Sequence, residues 1–134
     1  MAFEINLEVN AHDIDTNCNA TPTSIVKYMM EAVDRNMLHC SPTYQDLLER
    51  GLSFVVSRTA VKVYRPLKEY EKITVSTWAT ESKNFSFPRS YVIKSGDETV
   101  AEAVAIWALI DTSQHKLVKG SDFSVAGYGT GEVL

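Results

Sequence analysis

The sequence predicts an α+β fold in which a curved antiparallel sheet wraps round one central helix. Three observations predict it: a short N-terminal segment with period two, one long segment with helical spacing, and several strand-like segments joined by short turns. A chain of 134 residues is long enough to bury one hydrophobic core. We therefore expect one domain over residues 1–120, followed by a poorly ordered tail over residues 121–134.

The first strand and the central helix follow from the spacing of apolar residues. Alternation of apolar and polar side chains predicts a half-buried strand through Phe3, Ile5, Leu7 and Val9. The spacing then changes to three and four residues, which predicts a helix with Thr21 as N-cap and Pro22 as its first residue. Its predicted apolar stripe contains Ile25, Val26, Met29, Met30, Val33 and Met37. A stripe rich in Met and β-branched residues favours a helix buried by the sheet.

The rest of the chain predicts a short second helix and then strands. Ser41 and Pro42 have the types expected of a cap and a first helical residue, and Gly51 of a C-terminal stop. Strands are predicted over residues 54–64, 73–80, 86–94 and 99–110, with a further short pairing within 111–120. The turns "ESKN" and "SGDE" are short enough to make antiparallel hairpins. Trp78 and Trp107 are expected in the core beneath the helix.

Composition excludes several classes of function. A formal charge of −4, with basic residues scattered along the strands, disfavours nucleic-acid binding. No apolar run approaches the roughly 18 residues of a membrane span, and the N-terminus lacks the pattern of a signal peptide, so we expect a cytoplasmic protein. Two cysteines without CxxC spacing fit a reducing compartment and predict no bound metal.

Several stretches resemble one known family. A strand, a long helix and four antiparallel strands follow one another in the order of a hotdog fold. The stretches "NATPTSIVKYMMEA", "RTAVKVYRPLKEYEKITVSTWA", "PRSYVIKSGDETVAEAVAIWALID" and "HKLVK" resemble the first of the two hotdog halves in acyl-acyl-carrier-protein (ACP) thioesterases. The resemblance implies a single hotdog fold that hydrolyses acyl-ACP or acyl-CoA thioesters without a cofactor. In that family the catalytic residues belong to the second half, so none is transferred to this chain.

The loop before the central helix, "HDIDTNCNATPTS", holds the candidate catalytic residues. Single-hotdog thioesterases of the 4-hydroxybenzoyl-CoA type have an Asp in this loop, which is similar to the position of Asp15, with Asp13 as the second candidate. Such a carboxylate activates water or attacks the thioester carbonyl. The free N–H groups of the first helical turn, over residues 21–24, would bind the oxyanion. Further candidates for orienting water are Asn17, Asn19, Thr23 and Ser24.

The alternative for this loop is purely structural. Asp and Asn are common in turns because their side chains bond their own backbone, so "DIDTNCN" can be a simple connection. First-turn hydroxyls likewise often only cap a helix. Three further residues are interpreted as structural although each has a chemical alternative: Glu31 in the helix, Cys40 after His39, and His12 in the loop.

Candidate substrate-binding residues come from the helix and the sheet. Tyr28 and Met29, with Met30, are candidates for the lining of an acyl tunnel, with core packing as the alternative. Arg65 and Arg89 are candidates for a basic patch that would meet CoA phosphates or an acidic carrier protein, with ordinary solvent-facing charges as the alternative.

The assembly and two other functions stay open at this point. A single curved sheet leaves an edge strand unpaired, so we expect a homodimer or a dimer of dimers. One alternative function is a non-catalytic module that binds acyl thioesters or pairs with another hotdog chain. The other is a 3-hydroxyacyl-thioester dehydratase, for which His12 is the available histidine.

Overall fold

The computed structural model describes residues 2–134, which form one curved antiparallel sheet packed on one long helix. The predicted α+β architecture is confirmed. The helices are α1 (Pro22–His39) and α2 (Tyr44–Glu49). The strands are β1 (Phe3–Glu8), β2 (Leu52–Val63), β3 (Lys72–Ala79), β4 (Phe87–Ser95), β5 (Glu98–Asp111) and β6 (Lys116–Leu117). Short 3-10 turns cover Ala11–Asp13, Gly120–Asp122 and Ala126–Tyr128.

The sheet places β1 at one edge and β2 at the other. Its order is β1-β3-β4-β5-β2, with β6 added beside the end of β5, and every pairing is antiparallel. Strand β2 pairs with β5 along one side, and no other strand within residues 2–134 pairs with its outer side. All side chains of β2 from Val55 to Val63 are exposed. The structure therefore contains a long, unpaired sheet edge whose exposed side chains include several valines together with Arg58 and Lys62.

Helix α1 begins as predicted, and four of the six residues of its predicted stripe are buried. The Thr21 hydroxyl accepts a hydrogen bond from the Ser24 N–H, and Pro22 is the first helical residue. Val26 and Met30 are exposed, so their assignment to the stripe was wrong. At 3.6 residues per turn both lie just past the face that packs on the sheet. The buried face of α1 is formed by Ser24, Ile25, Tyr28, Met29, Ala32, Val33, Asn36 and Met37.

Helix α2 has another cap than the predicted one. Thr43, and not Ser41, caps it, because the Thr43 hydroxyl accepts from the Asp46 N–H while the Asp46 carboxylate accepts from the Thr43 N–H. This reciprocal capping box gives partners to two backbone N–H groups at once. Gly51 ends the helix as predicted, in the left-handed conformation with φ of 71°.

The two tryptophans lie in different environments. Trp107 is buried in the core. Trp78 is not part of the core: its indole N–H donates to the Glu132 carbonyl at 2.7 Å, so its predicted place beneath the helix was wrong. Neighbouring residues of a strand point to opposite faces, and Trp78 lies between the buried Thr77 and Ala79.

The C-terminal segment runs back along the end of β3. The Ala79 N–H donates to the Gly129 carbonyl at 2.9 Å, and the Gly131 N–H donates to the Ala79 carbonyl at 3.1 Å. Phe123 and Tyr128 are buried. These two side chains therefore belong to the core, while low order of residues 121–134 stays a prediction.

Candidate active site at the N-terminal end of the central helix

The loop that carries the candidate acids is held by backbone hydrogen bonds. The Thr21 N–H donates to the Asp13 carbonyl at 3.0 Å, which closes the loop on itself. The Ala20 N–H donates to the Leu67 carbonyl at 2.7 Å, and the Glu69 N–H donates to the Cys18 carbonyl at 3.1 Å. The loop is therefore tied to the segment between β2 and β3, which fixes its position at the start of α1.

Asp15 is exposed and holds a tight turn. Its Oδ1 atom accepts from the backbone N–H of Asn17 at 2.8 Å and from that of Asn19 at 3.2 Å. Within residues 2–134 no donor bonds its Oδ2 atom. The carboxylate thus has a fixed orientation and one oxygen available to water or a ligand. Asn17 contributes its backbone to this turn and is itself exposed.

Asp13 is the more shielded of the two acids. Its side chain is 12% exposed, and its Oδ2 atom accepts from the Tyr28 hydroxyl at 2.9 Å and from the Asn10 N–H at 3.1 Å. His12 Nε2 lies 3.5 Å from the other oxygen, with a largely exposed ring. Burial and the neighbouring Asp13 carboxylate raise the pKa of the Tyr28 hydroxyl, which stays protonated as the donor.

The first turn of α1 offers fewer free N–H groups than a helix usually does. The Thr21 and Ser24 N–H groups are already donated, to the Asp13 carbonyl and the Thr21 hydroxyl respectively, and proline has no N–H. Over residues 21–24 only the Thr23 N–H has no partner among the described residues. The Thr21 hydroxyl also donates to the buried Ser24 hydroxyl at 3.0 Å. The turn therefore has one N–H group for an oxyanion.

Two of the three predicted acyl-binding residues lie inside the core, while Met30 is exposed. Tyr28 and Met29 are buried at 6% and 2% exposure on the face of α1 that packs against the sheet. Tyr28 connects this core to the loop through its bond to Asp13. Glu31, by contrast, forms an ordinary exposed pair with Arg35 at 3.0 Å.

The two candidate arginines do not form one basic patch. Arg65 pairs with Glu71 at 2.6 Å and with Glu98 at 3.1 Å, and the Arg65 hydrogen bond lowers the pKa of Glu71 to about 2. Arg89 is 6% exposed and faces the interior beneath the second half of α1. The two guanidinium groups therefore share no surface, because Arg65 is paired with carboxylates and Arg89 is buried. A role of either arginine in binding a substrate stays a prediction.

Sequence reasoning missed the partners of Arg89. Its Nη1 atom donates to Asn36 Oδ1 at 2.9 Å and to Thr77 Oγ1 at 3.2 Å, and the Tyr128 ring lies over the guanidinium. A signal was present: along β4, Arg89 alternates in phase with the buried Phe87, Tyr91 and Ile93. This alternation predicts that the Arg89 side chain points into the core, although a charged side chain normally faces solvent.

Neither a metal centre nor a membrane helix is found in the described chain. Among residues 2–134, no three His, Cys, Asp or Glu side chains are grouped so that they could hold a metal ion. No helix of that range is long and apolar enough to cross a membrane.

Comparison with known families identifies the chain. The family of the acyl-ACP thioesterase N-terminal domain matches residues 1–128. The chain belongs to this family. Its hotdog fold is shared with solved thioesterase structures, as the resemblance of its sequence implied. Among curated proteins, none matches the sequence.

Three solved structures illustrate this shared hotdog fold. The acyl-ACP thioesterase from Bacteroides thetaiotaomicron superposes with a TM-score of 0.86 at 20% identity, over 98% of this chain and 54% of its own. The probable thioesterase YbaW from Escherichia coli gives 0.82 at 18% identity, over 87% and 89%. The protein SAV2348 from Staphylococcus aureus, solved in complex with CoA, gives 0.85 at 10% identity, over 100% and 89%. The chain thus spans about half of the Bacteroides enzyme and most of the other two.

Proposed function

We propose that this protein is an acyl-thioester hydrolase that acts on acyl-ACP or acyl-CoA substrates, with Asp15 as its catalytic carboxylate. Membership of a thioesterase family and the hotdog fold support acyl-thioester hydrolysis in general. The observation that carries the choice of residue is the unequal exposure of the two loop carboxylates. Each has one oxygen bonded by two donors, but Asp15 keeps its Oδ2 atom at the surface, whereas the Asp13 side chain is 12% exposed and its second oxygen lies 3.5 Å from His12 Nε2.

The hydrogen bonds of the loop give each residue a role in this reaction. The N–H groups of Asn17 and Asn19 hold Asp15 Oδ1, so that Oδ2 points to an attacking water or to the thioester carbonyl. The Thr23 N–H donates to the developing oxyanion. Asp13 positions the loop by anchoring it to Tyr28. The reaction adds water to the thioester and releases a free acid and a thiol, without a cofactor.

Thiol release from a panel of acyl-CoA and acyl-ACP thioesters tests this proposal. Asp15→Asn should lower kcat/KM by about 10²-fold or more, because positioned general bases contribute that much. Asp13→Asn is the matched control, two residues away and of the same charge. It should keep turnover within about tenfold and lower the midpoint of urea unfolding instead, since it weakens the Tyr28 contact.

Two results would contradict this assignment. Greater loss of turnover in Asp13→Asn than in Asp15→Asn, at equal folding, would move the catalytic role to Asp13. Absence of turnover of every thioester by folded wild-type protein would refute the hydrolase. It would favour the alternative, a non-catalytic module that binds acyl thioesters or pairs with another hotdog chain. The match to an N-terminal domain and the single free N–H of the first turn support that alternative.

We further propose that two copies pair through β2. Its outer edge carries unpaired backbone groups, and its exposed apolar side chains include Val55, Val56, Val61 and Val63. Long unpaired edges that expose apolar side chains are normally covered in soluble proteins. A two-fold axis through the middle of β2 would join the two sheets into one and bring the second copy next to the first.

Light scattering measures the pairing. Wild type should have twice the mass of the 15.0 kDa chain, and Val61→Lys should be monomeric because a charge would be placed in the shared edge. Leu48→Lys, at an exposed apolar position on α2, is the control and should not change the mass. A monomeric wild type, or a Val61→Lys protein of unchanged mass, would exclude this interface. A fourfold mass that Val61→Lys halves would indicate a dimer of dimers.

A further inference from the structure

The second half of α1, β4 and the C-terminal segment enclose a cavity of about 30 Å³. Most of its lining is apolar or aromatic and includes Val33, Met37, Phe54, Phe87, Trp107 and Tyr128. The charged residue in the lining is Arg89. A cavity of this volume holds about one water molecule or a group of similar size.

Arg89 has no counter-ion in this site. A guanidinium keeps its charge in proteins, and buried charges are normally paired because their desolvation is costly. Within residues 2–134, no carboxylate oxygen lies within 4.0 Å of Arg89. Burial lowers the pKa of the Arg89 guanidinium, as expected when no carboxylate offsets its desolvation.

The hydrogen bonds of Arg89 leave one edge of its guanidinium available. Both contacts, to Asn36 Oδ1 and Thr77 Oγ1, come from Nη1. In the described chain, Nε and Nη2 have no hydrogen-bond partner, while every fully shielded side-chain nitrogen and oxygen has one. These two atoms are therefore not fully shielded, although the residue as a whole is buried. They form the parallel pair of donors that matches a carboxylate, and the Tyr128 ring centroid lies 5.7 Å from the guanidinium carbon, within cation–π range.

We propose that this cavity is a carboxylate-binding pocket, in which Arg89 receives the carboxylate at one end of an apolar chain. The carboxylate head fills the cavity and supplies the missing counter-ion. The apolar chain enters by displacing the flexible Met37 side chain and the exposed Tyr44 ring, which both line the cavity.

The carboxylate has two possible sources. One is a free acid, including the acid that thioester hydrolysis releases. The other is an acyl group with a second carboxylate at its far end, and this source rests on the proposed hydrolase function. Asn36 lies about 18 Å along α1 from Ser24, so the pocket is separate from the catalytic loop and at the reach of an extended long acyl chain.

Ligand binding to the wild type tests the pocket directly. Trp107 lines the cavity, so its fluorescence reports occupancy, and calorimetry gives the Kd. The probes are a straight-chain carboxylic acid and the primary alcohol of equal length. The acid should bind at least about tenfold tighter, as a charge-assisted hydrogen bond predicts. Equal affinity for acid and alcohol would overturn the proposal, and this comparison needs no variant.

Variants then assign the effect to Arg89. Arg89→Gln should abolish the preference for the acid, while Arg35→Gln, an exposed arginine on the outer side of α1, should keep it. If Arg89→Gln does not fold, Val33→Phe fills the cavity and leaves the guanidinium and its partners in place; it should abolish acid binding. Retention of the preference in folded Arg89→Gln or in Val33→Phe would place the carboxylate elsewhere.

The two sources are separated by turnover. If the second carboxylate of the substrate is recognised, a CoA thioester with a far-end carboxylate should have a KM at least about tenfold lower than its plain equivalent, and Arg89→Gln should remove the difference. If the free acid is recognised, the acid should inhibit wild type more strongly than Arg89→Gln. Preferential binding of the acid without turnover of any thioester would support the carboxylate pocket and refute the hydrolase function. Turnover without a preference for the acid would support the hydrolase function and refute the pocket.

Discussion

The two ends of α1 each hold a charged group, and they hold it in opposite ways. At the N-terminal end, Asp15 is exposed and bonded by backbone N–H groups of its own turn. Near the C-terminal end, Arg89 is buried and bonded by two neutral side chains that come from α1 and β3. A carboxylate in a wet loop costs little, so it is found both in functional loops and in simple turns. An arginine in a dry core is costly unless something compensates it, so its position is the stronger indication of function.

The largest effect is expected at the buried end. Asn36→Leu keeps the size of the side chain but removes the acceptor of Arg89, and it also removes the Nδ2 bond to the Tyr128 carbonyl. We expect the free energy of unfolding to fall by about 1.5–3 kcal/mol, the range for hydrogen bonds to charged groups. Urea unfolding measures it.

Two further variants test whether the buried charge of Arg89 causes the loss of stability in Asn36→Leu. Arg89→Met combined with Asn36→Leu should regain part of the loss, since replacing both partners by apolar groups leaves no unsatisfied charge. Asn17→Ala in the exposed loop should stay within about 0.5 kcal/mol of wild type. A double variant as unstable as the sum of the two single variants would mean that packing, and not the buried charge, sets the stability of this end.

The difference between the ends also explains what the sequence could predict. The α+β fold, the start of α1 at Thr21 and the two hairpins follow from local periodicity and capping chemistry. The stripe of α1 was only partly correct, because residues such as Val26 at the border of a helical face have the same spacing as buried ones. Trp78 was misplaced because its contact, the Glu132 carbonyl, depends on the path of the returning chain.

The candidate site was predictable in place but not in detail. The spacing located the acids at the mouth of α1, yet Asp13 and Asp15 are the same residue type two positions apart. The hydrogen bonds of each carboxylate depend on features that spacing does not show. These are the backbone of the turn, where Cys18 adopts a φ of 60°, and the position of the Tyr28 hydroxyl on the helix. The environment of Arg89 was less accessible still, since Asn36 and Thr77 are distant in sequence and lie on different elements.

At the N-terminal end of α1, the uncharged N-cap Thr21 should contribute more to the free energy of unfolding than the charged residues of the loop. Thr21→Ala removes the hydroxyl that accepts from Ser24 N–H, and we expect a loss of about 1 kcal/mol in the free energy of unfolding. Thr21→Gly should lose only a few tenths, because glycine is itself a favourable N-cap. Urea unfolding of both variants checks this. Equal and larger losses would show that Thr21 acts through its bond to Ser24 Oγ rather than as a cap.

The smallest effect is expected for the ion pair between Arg65 and Glu71, in the segment that is bonded to the loop. The direction of its pH dependence follows from the pKa of Glu71. Glu71 has a pKa of about 2 in the folded protein against an ordinary 4.5, because Arg65 bonds its carboxylate. A carboxyl group with a lowered pKa in the folded state stabilises the protein at pH values above its unfolded-state pKa. This contribution is lost as the pH falls from about 4.5 to about 2.

Arg65→Gln should therefore lower the free energy of unfolding by up to about 1 kcal/mol at pH 7, as expected of an accessible pair. The loss should become smaller as the pH is lowered. Urea unfolding at pH 7, 4 and 2.5 follows the difference between variant and wild type. If this difference in the free energy of unfolding did not change with pH, Arg65 would act through packing of its aliphatic stem. If it exceeded the loss in Asn36→Leu, the exposed charge would contribute more to stability than the buried one.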